Sequence, residues 1–143
     1  MEYTHRVAVI AYLIFEEKFL FLKRNNPPKI WAPPGGRLHR NEAPEDGLHR
    51  EIYEECGISI KETQLVHSWF GPWEGGHLLS LDYLAIADTA NVKLSSEHSD
   101  FTWVSLADLK NGTPIKLDEP VGFKMRDFEQ AFAVYRNLKT PGI

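Results

Sequence analysis

At 143 residues, 43% hydrophobic and 25% charged, the chain has the size and composition of one globular domain, expected over 1–143, with enough apolar side chains to build a core without staples. A single cysteine, Cys56, excludes an intrachain disulfide, and the longest apolar run, Val7 to Phe15, is too short to span a bilayer. A net charge of −4 argues against nonspecific nucleic-acid binding, which needs a cationic surface, and no basic-then-apolar leader pattern is present, so a cytoplasmic setting away from membranes is expected. Val7–Phe15, rich in β-branched and aromatic residues, predicts a buried strand, and after the polar break Glu16-Glu17-Lys18 the run Phe19–Lys23 predicts its hairpin partner. Asn25 to Pro28 and Pro33-Pro34-Gly35-Gly36 break the pattern twice. A helix follows over about Ala43–Cys56, with Pro44 suited to its first turn and Gly57 to its C-terminal cap. Strands are expected near Thr63–Phe70, His77–Ala87 and Phe101–Val104, and a short helix over Ser105–Lys110. The last helix is expected from Val121 to Leu138, with an apolar stripe at Val121, Met125, Phe128, Phe132 and Tyr135. That stripe reads as docked on the sheet, ahead of a seam for a homodimer, since two heptads are too few for a coiled coil. Strands mixed with two substantial helices imply an α/β (α+β) sandwich.

The acidity is concentrated in one segment: Glu42, Glu45, Asp46, Glu51, Glu54 and Glu55 face only Arg50 between residues 42 and 58. At about 100° per residue, Glu51, Glu54 and Glu55 share one helix face. Like charges one turn apart destabilise a helix, and the dipole disfavours anions in its last turn. A sequence accepts that cost more readily when a cation occupies the face, and a cluster of hard oxygen donors selects Mg²⁺, Mn²⁺ or Ca²⁺ over zinc. Leu48 and Ile52 give the same helix an apolar side for a core. Gly47, in its interior, points to a close contact with the sheet.

The full segment is Gly36, five residues, Glu42, seven residues, then Arg50-Glu51-Ile52-Tyr53-Glu54-Glu55-Cys56-Gly57-Ile58. It resembles the Nudix box at every fixed position, a coincidence on the order of 10⁻⁷ or less by residue frequency. Weaker resemblance extends through Trp31…Pro34-Gly35-Gly36 and Glu97…Trp103. The resemblance implies a Nudix-type α/β/α sandwich with a mixed β-sheet, and a Mg²⁺-dependent hydrolase, with Mn²⁺ as a substitute, that cleaves a diphosphate bond in a nucleotide-type small molecule. It implies metal ligation by Glu51, Glu54 and Glu55 with the Gly36 carbonyl, a positioning ion pair from Arg50, and support from Glu42 directly or through water. It also implies a further acid before the Phe101-Thr-Trp-Val104 strand, as metal ligand or general base, for which Glu97 is the candidate and Asp100 the rival.

Outside the box, Arg24 and Lys23 close a strand where basic residues meet phosphate, and Trp31, Trp69, Phe70, Trp73 and Tyr83 include candidates for a base-stacking platform. His39, inside the box loop, is the histidine placed to approach a ligand, so Arg24, Trp31, His39 and Glu42 form the expected substrate-binding set. Two rival readings use the same fold: an inactive nucleotide-binding module, disfavoured by the intact box, and the family's isomerase branch, which needs a cysteine in another context than Cys56. Pro72 lies one position out of register with the proline of ADP-ribose enzymes, so (deoxy)nucleoside triphosphates and ADP-ribose stand as equal substrate candidates.

Overall fold

The computed structural model describes residues 4–117 and 122–139. Strand β1 (Arg6–Phe15) is central to the sheet, and its residues are buried on both sides. Val9, Ala11 and Leu13 enter one core, while Tyr12 and Ile14 enter the other, the period-two division of a strand covered on both faces. Strand β2 (Lys18–Arg24) returns antiparallel, with Leu20 and Leu22 on the first side and Phe19 and Phe21 on the second.

Two short strands, β3 (Trp31–Ala32) and β4 (Gly35–Arg37), lie in the stretch the sequence reads as breaks. They exist because backbone from neighbouring strands is available there: β3 pairs with β2, and β4 pairs with Ala8–Ile10 of β1. Strand β5 (Ile60–Trp73) and strand β6 (Gly76–Ala87) form a long antiparallel hairpin. It extends the expected Thr63–Phe70 strand at both ends, because pairing continues to the Glu74–Gly75 turn, whose residues have φ of 48° and 76°. Strand β7 (His98–Val104) pairs with β2. Among the described residues seven strands form one mixed sheet with path order β3-β2-β1-β6-β5, and the β1–β6 pair, Arg6–Ile14 against Leu78–Ile86, is parallel.

Helix α1 (Pro44–Cys56) covers the first face through Leu48, Ile52 and Cys56. It starts with Pro44 in its first turn and ends at Gly57 in the left-handed conformation, φ 67°, as expected. Helix α2 (Leu106–Asn111) is set by a reciprocal capping box between Ser105 and Asp108. Helix α3 (Met125–Lys139) covers the second face through Phe128, Ala131 and Tyr135. It begins later than the expected Val121, which lies outside the described residues, and the Lys124 N–H donates to the Asp127 carboxylate at 2.8 Å where it starts. Met125 and Phe132 also pack against that core, so the described part of the apolar stripe docks on its own sheet. The architecture is the expected α+β sandwich, a mixed sheet covered by α1 on one face and α3 on the other. Among the described residues no helix is long and apolar enough to cross a membrane.

Candidate active site

The acidic face of α1 meets the backbone of β4. Glu55, only 7% exposed, accepts a hydrogen bond from the Gly35 N–H at 2.8 Å. Glu51 lies against Gly36 so closely that a Cβ there would sit 2.5 Å from its carboxyl carbon. Any larger residue would push the Glu51 carboxylate from this position. Gly47 has a similar reason, although its neighbour is the preceding loop rather than the expected sheet: a Cβ would lie 2.3 Å from Leu38 Cδ2 and 2.9 Å from Glu42 Oε1.

Arg50 organises the face. Its Nε and one terminal nitrogen grip both oxygens of Glu42 at 2.7 and 2.9 Å, and the other terminal nitrogen donates to Glu51 at 3.0 Å and Glu54 at 3.2 Å. It also donates to the Arg37 carbonyl at 3.2 Å. A planar fork with several donors suits this work. The Arg50 contacts, followed by the His39 backbone N–H, hold the Glu42 carboxyl down at about 2. The Arg50 guanidinium is raised in turn, chiefly by Glu42.

One arginine does not neutralise the whole set. Burial pushes the Glu55 carboxyl up to about 8; the Gly35 N–H opposes this, while the charges of Glu51, Glu97 and Glu54 add to it. Glu51 is also raised, by burial first, against the pull of Arg50. Glu97, exposed just before β7, acts on both Glu51 and Glu55. Its rival Asp100 is instead paired across β2 with Lys23 and accepts from the Phe101 N–H at 2.8 Å.

Among the described residues no three Asp, Glu, His or Cys side chains close into a metal cage. The donor set still fits a hard divalent cation. It offers carboxylate oxygens, a glycine cradle at Gly36, and a buried acid whose repulsion from its neighbours a cation would relieve. Glu51, Glu54, Glu55 and Glu97 are the side chains able to hold it.

The other expected site residues divide. Arg24 ends β2 beside His98 of β7, and its Cζ lies 5.8 Å from the Trp73 ring centroid. His39 is exposed on the loop before α1, where its backbone N–H donates to Glu42 at 2.9 Å. Trp31 packs toward the α3-side core and lines a cleft of about 90 Å³ with Lys23, Lys29, Lys116 and Phe123, apart from the carboxylates. Sequence reasoning missed His98. Its side chain is 9% exposed, its Nε2 lies 3.7 Å from Glu55 Oε2, and burial lowers its pKa. Its adjacency to Glu97 was the only available signal.

A model of the NUDIX domain matches residues 4–125. A MutT-like protein of Streptomyces ambofaciens is 28% identical over 101 residues, 71% of this chain, which spans 64% of that relative's length. The nucleoside triphosphatase NudI of Klebsiella pneumoniae is 30% identical over 95 residues, 59% of this chain and 67% of its own. The crystal structure of a MutT protein from Methanosarcina mazei aligns with 95% of this chain and 99% of its own at 25% identity and a TM-score of 0.76.

Proposed function

The chain belongs to the Nudix hydrolase family, and from that premise we propose that it is a Mg²⁺-dependent pyrophosphohydrolase acting on a nucleotide, either a (deoxy)nucleoside triphosphate or an ADP-ribose-like nucleoside diphosphate derivative. The observation that carries this reading is the surplus of negative charge around Glu55, whose buried carboxyl shares one site with Glu51, Glu54 and Glu97. The relative NudI, a nucleoside triphosphatase by name, supports the triphosphate class.

Glu51, Glu54, Glu55 and Glu97, with the Gly36 carbonyl, would hold the cation. When bound, Mg²⁺ supplies neutralisation of the diphosphate and acidification of water for in-line attack on phosphorus. The remaining work belongs to the chain. Arg50 fixes the rotamers of Glu42, Glu51 and Glu54 before substrate arrives, so little reorganisation is left for the reaction. Glu55 and Glu97 are the carboxylates that can take the proton of the attacking water. Arg24 faces the substrate's anionic oxygens as an electrostatic partner.

The test is a panel of nucleoside triphosphates, ADP-ribose and related diphosphates with Mg²⁺ or Mn²⁺, reading phosphate and pyrophosphate release. Metal-dependent turnover of at least one compound is expected, with Glu54→Gln and Glu55→Gln each slower by about 10³-fold. Folded variants that turn over within a few fold of the parent overturn the assignment.

A further inference from the structure

The β5–β6 hairpin does more than border the sheet. Its tight turn contacts both flanks of the carboxylate cluster. On one flank Trp73, the last residue of β5, meets the Arg24 guanidinium at 5.8 Å from its ring centroid. On the other flank Glu74 pairs with Arg37, whose carbonyl accepts from Arg50 at 3.2 Å. Trp73 and Glu74 are consecutive residues where β5 enters the Glu74–Gly75 turn, so the two anchors are coupled with little slack.

Arg24 itself, among the described residues, is a cation without an opposite. It has no carboxylate partner there, and its Nε is buried without a hydrogen-bond partner. Its cross-strand neighbour His98 has a buried, unpartnered Nδ1 and reaches Glu55 at 3.7 Å through Nε2. A guanidinium whose Nε is left without an acceptor, on a strand end beside the acidic cluster, has donor capacity to offer an anionic oxygen. An arginine on a flexible stem binds an anion better when stacking removes its other conformers.

We propose that the hairpin tip is a phosphate-positioning element: Trp73 holds Arg24 against the rim of the carboxylate cluster, and Glu74, through Arg37, holds the tip, so that Arg24 receives the anionic oxygens of a nucleoside diphosphate group. Trp73 is thus a positioning residue that sets substrate affinity through Arg24. The inference rests on the hydrolase reading for its substrate class, but its test does not require turnover.

The test is equilibrium binding of the nonhydrolysable analogue adenosine 5′-(α,β-methylene)diphosphate with Mg²⁺ to the wild type, Trp73→Leu, Trp73→Phe and Glu74→Gln, alongside steady-state kinetics and Mg²⁺ titration of the same proteins. Trp73→Leu is expected to weaken analogue binding and raise KM about tenfold, with kcat within about threefold. Trp73→Phe restores most of the loss because a ring face remains. Glu74→Gln costs about threefold, and Mg²⁺ affinity is unchanged in all variants. A merely structural tryptophan would lower stability without separating KM from kcat, and phenylalanine would not rescue it selectively. Analogue binding by Trp73→Leu within twofold of wild type, or no binding by the wild type, overturns the proposal. Binding without turnover of any panel compound overturns the hydrolase reading and leaves this inference standing.

Discussion

Two buried carboxylates, one on each face of the sheet, have opposite surroundings. On the α3 side Asp82, 3% exposed, accepts from the Ser80 hydroxyl at one oxygen. Its other oxygen takes the Tyr12 hydroxyl at 3.4 Å and faces His67 Nε2 at 3.3 Å. His67 is itself engaged: Tyr12 Oη lies 2.8 Å from Nε2 and Gln130 Oε1 lies 2.8 Å from Nδ1. On the α1 side Glu55 has one backbone donor, a histidine at 3.7 Å, and three acids for neighbours. Burial is the leading cause that raises both groups, so burial alone does not separate them. Satisfaction does. The Asp82 network is closed by the chain's own groups, whereas the Glu55 cluster is left short of positive charge. A buried polar group that its own fold does not satisfy points to something the fold is built to bind.

The largest expected contrast is between what each acid does for turnover and what it does for stability. Glu55→Gln lowers kcat by about 10³-fold in the panel assay, while Asp82→Asn, away from the cluster, leaves the rate within a few fold of the parent. An equal loss in both variants would erase the distinction.

Next comes stability. Asp82→Ala strands Tyr12, Ser80 and His67 together, and chemical denaturation should show a loss of about 3 kcal/mol. For Glu55 the sign reverses. Its folded carboxyl titrates near 8, against 4.5 for the ordinary group. The folded state therefore holds an extra proton between those values. That contribution to stability is complete below pH 4.5 and is lost as pH rises through 8. The metal-free wild type should lose melting temperature from pH 5 to pH 8. Metal-free Glu55→Gln should show a shallower slope, the remainder coming from the raised Glu51 and Asp82, and melt several degrees higher at pH 8. A Glu55→Gln protein that melts below the wild type at pH 8 would contradict this account.

The smallest effect expected is at Gly47. An alanine Cβ meets the mobile end of Leu38 and a Glu42 oxygen, and displacing them should cost about 1 kcal/mol net of the helix propensity gained. Since Glu42 is the main partner of Arg50, Gly47→Ala should also weaken Mg²⁺ binding a few fold by calorimetry; unchanged affinity would show that the Glu42 clamp tolerates the shift.

The α1 segment was the most legible part of the sequence. Its boundaries are marked by Pro44 and Gly57, its core side by Leu48 and Ile52, and its charge by the glutamates, all within one helix. The burial of β1 was legible for the same local reason, since its apolar run is continuous in the residues themselves. What was not legible depends on distant backbone. Strands β3 and β4 arise from pairing that Pro- and Gly-rich residues do not advertise. The Tyr12–His67–Asp82 network joins three strands and α3. The meeting of Trp73 with Arg24 follows from the length of a hairpin whose ends the residue pattern understates. His98 was missed because nothing in the sequence shows that β7 carries it to Glu55.

Titration of Mg²⁺ into the protein by calorimetry near pH 7, in buffers of different ionisation enthalpy, tests the unsatisfied cluster most directly. Saturable uptake with release of a proton from the Glu55 carboxyl is predicted, and both uptake and release should vanish in a folded Glu51→Gln/Glu55→Gln protein. No uptake by the wild type, or equal uptake by the double variant, would contradict the claim that these acids are arranged around a cation.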